Sequence, residues 1–326
     1  METSENRSET RPLLTTAGEA PQLLLVDGHA YAYRAFHAIR SLTSPTGQPT
    51  NAIFGFVKTI SRLRADLQPT YCAVVWDGGL AAERVALLPG YKATRPPMPS
   101  ALASQLDEIV AWVEASGVVS LCREGVEADD WIATLAIKAA ETGAKAVIAS
   151  SDKDFMQLVS PSVGLVNPAE KHSRRWTAAE VQEKTGVLPE QVVDWLSMVG
   201  DSVDDIPGVP GVGSKTAAAL LRQFGSCEAV LARVDKVQPE RLRAGLRAAA
   251  DALHRNRQLI TLRTDVGGGI TLDALLIRPP DTPRLRDLFT RWGFRSLVSE
   301  LDLAGATQTD FFEDRTGRTK LFSSTD

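Results

Sequence analysis

Ten carboxylates carry the strongest chemical signal in this chain. Asp27, Asp77, Glu127, Asp129, Asp130, Asp152, Asp154, Asp201, Asp204 and Asp205 each lie next to a short apolar run or in a tight loop. Two carboxylates ~5 Å apart repel by roughly 3 kcal/mol at an effective dielectric near 20, so gathering several of them requires cations. An all-oxygen donor set without His or Cys selects Mg2+ or Mn2+, and so many acids exceed the needs of one ion, so two are expected. Paired metals ~4 Å apart activate a water and stabilise the leaving oxygen of a phosphodiester. Taken one at a time the acids have plainer readings. Those from Glu127 to Asp130 suit the positive end of a helix dipole, and Gly200 to Gly208 suits an Asx-rich turn. Ser151-Asp152-Lys153-Asp154 fails as a calcium loop, because Gln157 and Val163 stand where that loop requires Gly and a bidentate Glu.

The elements that must position these acids are legible as short apolar runs: Leu23 to Val26, Cys72 to Trp76, Val118 to Cys122 and Ala146 to Ala149. Helical patterns separate them at Ile53 to Leu67, Leu102 to Ala115 and Asp129 to Glu141. Strands alternating with helices predict an α/β fold, a parallel-rich sheet flanked by helices. Such sheets bind ligands beyond the carboxyl ends of their strands, and Asp27, Asp77 and Asp152 follow three of these runs closely. They are expected to converge on one edge.

After about Trp176 short helices and tight turns replace this pattern. Thr177 and Glu180 form a capping-box signature for a helix ending near Gly186, and Pro189 opens another ending near Gly200. Gly208, Gly211 and Gly213, followed by Lys215 and Thr216, nearly match a P-loop. Ser214 breaks the spacing, however, and no strand directly precedes the glycines. A helix-hairpin-helix turn fits better, with backbone N–H groups meeting a phosphate at the following helix N-terminus. Arg241, Arg243, Arg247, Arg255 and Arg257 beyond it supply either phosphate contacts or a solvated face.

The motifs Leu25-Val26-Asp27-Gly28-His29, Tyr33-Arg34-Ala35-Phe36-His37, Trp76-Asp77, Tyr91-Lys92-Ala93-Thr94-Arg95-Pro96-Pro97-Met98-Pro99, Gly125 to Asp130, Ser151 to Leu158 and the Gly200 to Gly213 loop occur in that order. Together they resemble the 5′-3′ exonuclease domain of bacterial DNA polymerase I and the wider flap-endonuclease family, from about Gln22 to Leu303. The resemblance implies a PIN-like nuclease core and a metal-dependent 5′ nuclease acting on duplex DNA with a 5′ end or flap, RNA primers included, in replication and repair. It implies that Asp27, Asp77, Glu127, Asp129 and Asp130 serve a first metal ion and Asp152, Asp154, Asp201 and Asp204 a second. Some relatives lack the second set, which this chain keeps. Arg84, Lys92 and Arg95 resemble cations of the family's helical arch, expected around residues 78–100, where they would neutralise the scissile phosphate while Tyr91 stacks on an unpaired base. The helix-hairpin-helix is expected to hold duplex DNA, with a K+ ion bridging to its backbone.

Three features depart from the family pattern. Asp205 stands where Asn is usual, adding a charge expected to alter metal affinity. Glu83 replaces an aromatic before Arg84, which weakens the expected grip on the 5′ strand. No polymerase domain follows residue 326, so gap filling is expected to belong to another protein. Two other classes stay open: a PIN-class ribonuclease, which would prefer free RNA to a flapped duplex, and a DNA-binding module without turnover.

The whole-chain properties agree with this organisation. At 326 residues, about two domains are expected from a prior of ~150 residues each. The boundaries are expected at 1–20 for a disordered tail, 21–175 for the nuclease core, 176–270 for the helix-hairpin-helix region, 271–304 for a segment packing on the core and 305–326 for a flexible tail. The 44% hydrophobic and 23% charged composition excludes disorder of the whole chain, and no apolar run approaches the ~20 residues of a membrane span. A polar start lacks a secretory signal, so a cytoplasmic location is expected. Three cysteines and four histidines at unrelated spacings argue against disulfides and structural zinc. With the ten acids set aside, 30 of the 40 acids remain against 36 Lys and Arg, a basic body around an acidic site, as a phosphate polymer would require. In the tail, Gln308, Phe311 and Phe312 resemble the glutamine-to-aromatic motifs by which bacterial replication proteins dock on the sliding clamp, with both rings as buried anchors.

Overall fold

The computed structural model describes residues 20–168, 174–266 and 268–303. Both expected tails, including Gln308, Phe311 and Phe312, lie outside the described residues, apart from position 20.

The first half of the chain runs β1 (Gln22–Asp27), α1 (Gly28–Ala38), α2 (Asn51–Leu67), β2 (Tyr71–Trp76), α3 (Ala82–Leu87), α4 (Ser100–Ala115), β3 (Val119–Cys122), α5 (Ala128–Glu141), β4 (Lys145–Ala149) and β5 (Val163–Val166). These five strands are parallel in the order β3-β2-β1-β4-β5, and β6 (Arg175–Trp176) adds an antiparallel edge. Neither β5, where Gly164 interrupts the apolar run, nor the two-residue β6 is expected from the sequence. Alternate residues divide between two apolar cores. Leu24, Val26, Val74 and Val147 join α1, α2 and α4 on one face, while Leu23, Leu25, Val75 and Ile148 join α5 on the other. Coverage of both faces explains why the strands read as continuous apolar runs.

Asp27 pairs in register with Val75, and Val26 with Ala149, so β1, β2 and β4 end level. Connections leave β1 toward β2 on one side and β4 lies on the other, which opens a crevice at the carboxyl edge between β1 and β4. Gly28 begins α1 there because a Cβ would lie 2.5 Å from the Trp76 ring.

The second half is helical: α6 (Ala178–Thr185), α7 (Val192–Val199), the short hairpin β7 (Gly200–Asp201) and β8 (Ile206–Pro207), then α8 (Ser214–Phe224), α9 (Cys227–Ala232), α10 (Glu240–Ala248) and α11 (Ala250–Ile260). The Thr177 and Glu180 capping box forms, and Gly186 ends α6 in the left-handed conformation. Leu196, Leu221 and Leu253 share one apolar cluster with Ile132 of α5, so this region packs on the α5 face. The last named helix, α12 (Thr282–Trp292), buries Leu285, Leu288, Phe289 and Trp292 in the opposite core, each stabilising by about 1.5–3 kcal/mol.

The expectation of a helical arch over residues 78–100 is corrected. Only α3 is helical before α4 begins at Ser100, and the segment between them turns down onto the acids, burying Tyr91 and Lys92. Among the described residues no helix is long and apolar enough to cross a membrane.

Candidate active site at the carboxyl edge of the sheet

Asp27 does two jobs at the end of β1. One oxygen caps α1 by accepting the Ala30 N–H at 3.0 Å, and the other accepts the Ser150 hydroxyl at 2.9 Å. Ser150, just beyond β4, also accepts the N–H of Asp152 at 3.1 Å. The buried Ser150 therefore links acids carried by neighbouring strands. No motif had singled it out. Its only signal in the sequence was a hydroxyl directly past the end of an apolar run.

Asp77 follows β2, where its N–H donates to His29 Nδ1 at 3.1 Å, and its Oδ1 is buried without a hydrogen-bond partner. Asp129 lies in the first turn of α5. Beyond β4, Asp152 caps a 3-10 turn by accepting the Asp154 N–H at 2.9 Å, and Asp154 Oδ1 is a second buried, unpartnered oxygen. Asp201 and Asp204 arrive on the β7–β8 hairpin. Carboxylate oxygens of Asp154, Asp201 and Asp204 lie within 4.8 Å of one another. Asn256, buried in α11, fixes both sides of that hairpin by donating to Ser197 O at 3.1 Å and Pro207 O at 2.7 Å. Gly208 is required beside it, since a Cβ would meet Val199 O at 2.2 Å.

Electrostatics divide the acids into two groups. Burial pushes Asp27 up to about 6, with Asp152 and Asp77 adding to the effect against the hydrogen bonds from Ala30 and Ser150. Burial, then the charges of Asp152 and Asp27, hold Asp129 well above the usual carboxylate range, and burial with Asp152 does the same for Asp154. Asp77 and Asp152 are raised by burial as well. Glu127 behaves oppositely: burial would raise it, but Lys92 and Arg84 overcome that and hold it low. It accepts from the Ala81 N–H at 3.1 Å, the Tyr91 hydroxyl at 3.1 Å and Lys92 Nζ.

Several expected roles change in this geometry. Both oxygens of Asp130 accept from Arg84 at 2.7 Å, and one also accepts the Arg263 N–H at 2.9 Å, so Asp130, expected as a metal ligand, is the counterion of Arg84 in this geometry, as Glu127 is of Lys92. Arg84 is buried and also donates to Leu259 O at 3.0 Å, which removes it from the set of cations available to a phosphate. The Tyr91 ring is buried and its hydroxyl faces Glu127 and Asp204, so it offers no platform for a base. Lys92 lies 3.9 Å from Asp204 and pairs with Glu127, inside the acid cluster rather than above it. Arg95 remains partly exposed and reaches Asp204 at 2.6 Å. Glu83 is exposed and pairs with Arg263. Three of the five arginines left ambiguous form ion pairs within the chain, Arg243 with Glu240, Arg247 with Asp235, and Arg257 with Asp194 and Glu228, and Arg255 donates to Asn256 Oδ1 at 3.4 Å.

The Gly208 to Gly213 loop leads into α8, whose N-cap Gly213 provides no side-chain hydrogen bond. Lys215 is exposed in its first turn and Thr216 is half-buried.

Unpartnered buried oxygens on Asp77 and Asp154, together with five acids raised by burial, fit divalent cations rather than a dry core. The model for the 5′-3′ exonuclease N-terminal resolvase-like domain matches residues 22–186, and that for the 5′-3′ exonuclease C-terminal SAM fold matches residues 187–283. The chain belongs to the 5′-3′ exonuclease family. The 5′-3′ exonuclease of Aquifex aeolicus is 36% identical over 280 residues, 86% of this chain and 95% of that protein. DNA polymerase I of Pseudomonas aeruginosa is 41% identical over 291 residues, 87% of this chain and 31% of that enzyme. The chain thus spans about a third of the polymerases it matches. Among solved structures, T5 5′-exonuclease with bound zinc ions has a TM-score of 0.63 at 23% identity, covering 83% of this chain and 99% of that one. The catalytic core of Rad2 in complex with DNA substrate has a TM-score of 0.61 at 14% identity, covering 87% and 92%. Both share the fold of this exonuclease family member.

Proposed function

We propose that this chain is a divalent-metal-dependent 5′-3′ exonuclease and structure-specific flap endonuclease. It hydrolyses phosphodiesters of duplex DNA bearing a 5′ end or flap, RNA primers included, in replication and repair. The observation that carries this reading is the convergence of Asp154, Asp201 and Asp204, whose carboxylate oxygens lie within 4.8 Å of one another and among which Asp154 Oδ1 is buried without a partner. Asp27, Asp77, Glu127, Asp129 and Asp130 are the candidates for one ion, and Asp152, Asp154, Asp201 and Asp204 for another, as Mg2+ or Mn2+. Such ions, when bound, supply an activated water and charge stabilisation for the leaving 3′ oxygen. Lys92 and Arg95 bring positive charge to the same cluster, where it balances Glu127 and Asp204 before substrate arrives and meets the scissile phosphate afterwards. Free backbone N–H groups at the start of α8, with Lys215 and Thr216 beside them, suit a duplex phosphate. A K+ ion against the backbone at Gly208, Gly211 and Gly213 belongs to the same reading.

Labelled flap, nicked, gapped and single-stranded substrates, with Mg2+ and with chelator, test the proposal. Metal-dependent release of a 5′ fragment from the flap supports it. Preference for free RNA would favour the PIN-class ribonuclease, and binding without cleavage would favour the DNA-binding module. The sliding clamp is proposed as a further partner through Gln308, Phe311 and Phe312.

A further inference from the structure

Asp205, the acid that stands where the family usually has Asn, does not join the carboxylate cluster. Its Oδ2 accepts the Thr94 N–H at 2.8 Å and its Oδ1 accepts the Thr94 hydroxyl at 2.6 Å, so both carboxylate oxygens are held by one residue of the Tyr91 to Arg95 turn. One residue earlier on the hairpin, Asp204 O accepts the Lys92 N–H at 3.0 Å. Both Lys92 and Asp205 have left-handed backbones, with φ of 54° and 56°. That conformation is uncommon for residues other than Gly and persists only where neighbouring contacts hold it. Here each left-handed residue lies in the same three-bond seam.

The seam joins two parts of the site that the sheet does not connect. Asp204 sits on a hairpin anchored to the helical region, whereas Lys92 and Arg95 follow β2 and α3 in the nuclease core. From the geometry we infer that Asp205 and Thr94 form a clasp that positions Lys92 and Arg95 against Asp204, making both of them positioning residues for the reaction. This inference rests on the nuclease reading above. The clasp sets where the Lys92 and Arg95 side chains stand, because the two carboxylate oxygens of Asp205 accept at once from the N–H and the hydroxyl of one residue.

The test uses the full-length chain with Asp205→Ala, Thr94→Val, the double variant and Asp205→Asn. Two readouts are taken: amide exchange of peptides covering residues 88–96, and single-turnover cleavage of a labelled 5′-flap duplex in Mg2+. Asp205→Ala and Thr94→Val are each expected to speed exchange in that segment and to slow cleavage by about tenfold, with the dissociation constant for the flap nearly unchanged. The double variant is expected to be no slower than the worse single one, because both break the same clasp. Asp205→Asn retains an acceptor for the Thr94 N–H and tolerates the left-handed backbone, so it is expected to recover most of the rate. Unchanged exchange and rate in both single variants, or fully additive effects, would overturn the clasp. If Asp205→Ala fails to fold, Thr94→Val and Asp205→Asn decide by the same two readouts. Absence of cleavage by the unmodified chain would instead sink the nuclease reading, while the exchange data would still judge the clasp.

Discussion

Arg84 meets Asp130 through two bonds of 2.7 Å and, with the same guanidinium, donates to Leu259 O at 3.0 Å near the end of α11. One buried cation thereby joins the acid-bearing helix α5 to the helical region. Gln157 reinforces the joint by donating to Ile260 O at 3.0 Å and accepting the Leu262 N–H at 3.0 Å. Carbonyls at the end of a helix are otherwise unpaired, so these side chains cap α11 while docking it.

Replacing Arg84 by Ala leaves a buried Asp130 without its counterion. A destabilisation of about 3–5 kcal/mol is expected, because the remaining charge stays desolvated. Arg84→Lys should recover only part of it, since an ammonium lacks the planar fork that serves both carboxylate oxygens. Urea unfolding of the three proteins checks this, and an Arg84→Ala protein as stable as the original would mean that the pair is not structural.

Asp204→Asn or Asp154→Asn is expected to lower flap cleavage by at least ~100-fold, about 2.7 kcal/mol of transition-state stabilisation, while duplex binding persists. Rates under single-turnover conditions and a separate binding titration distinguish the two quantities. Near-normal turnover in either variant would remove the three-carboxylate cluster from the chemistry.

Stability without metal should fall as pH rises. Asp27 titrates at about 6 in the folded chain against a usual 3.8, so between those values the folded state holds more protons than the unfolded one. Asp77, Asp129, Asp152 and Asp154 are shifted in the same direction, whereas Glu127 is shifted downward and opposes them. Chelated protein is therefore expected to melt at a lower temperature near pH ~8 than near pH ~5, and Mg2+ or Mn2+ to raise the midpoint more at the higher pH. A midpoint that rises with pH in chelator would contradict the assignment of these acids as buried, raised groups.

Deleting residues 305–326 is expected to leave cleavage of a free flap oligonucleotide unchanged and to abolish binding to the cognate sliding clamp. Surface plasmon resonance against the clamp, with the intact chain at micromolar concentration, provides the comparison. No binding by the intact chain, or a truncation that lowers melting temperature and basal rate together, would assign the tail to the fold instead.

The sequence by itself determined the elements and the acids. Apolar runs ending in Asp27 and Asp77, helical periods between them, and the capping box at Thr177 and Glu180 are local signals, written within a few residues of where they act. They sufficed for a parallel sheet with acids at its carboxyl edge. Only the tertiary structure decided which acid faces which cation, because those choices depend on partners far apart in the chain. Arg84 finds Asp130 at a separation of 46 residues and Leu259 at 175, and Thr94 finds Asp205 at 111. Periodicity reports the face of a helix or strand but not what approaches that face, so Arg84, Tyr91 and Lys92 read as an exposed basic segment although the fold turns them inward. Burial then sets what each acid does: it raises Asp27 to about 6, whereas Asp130 meets the Arg84 guanidinium with both oxygens.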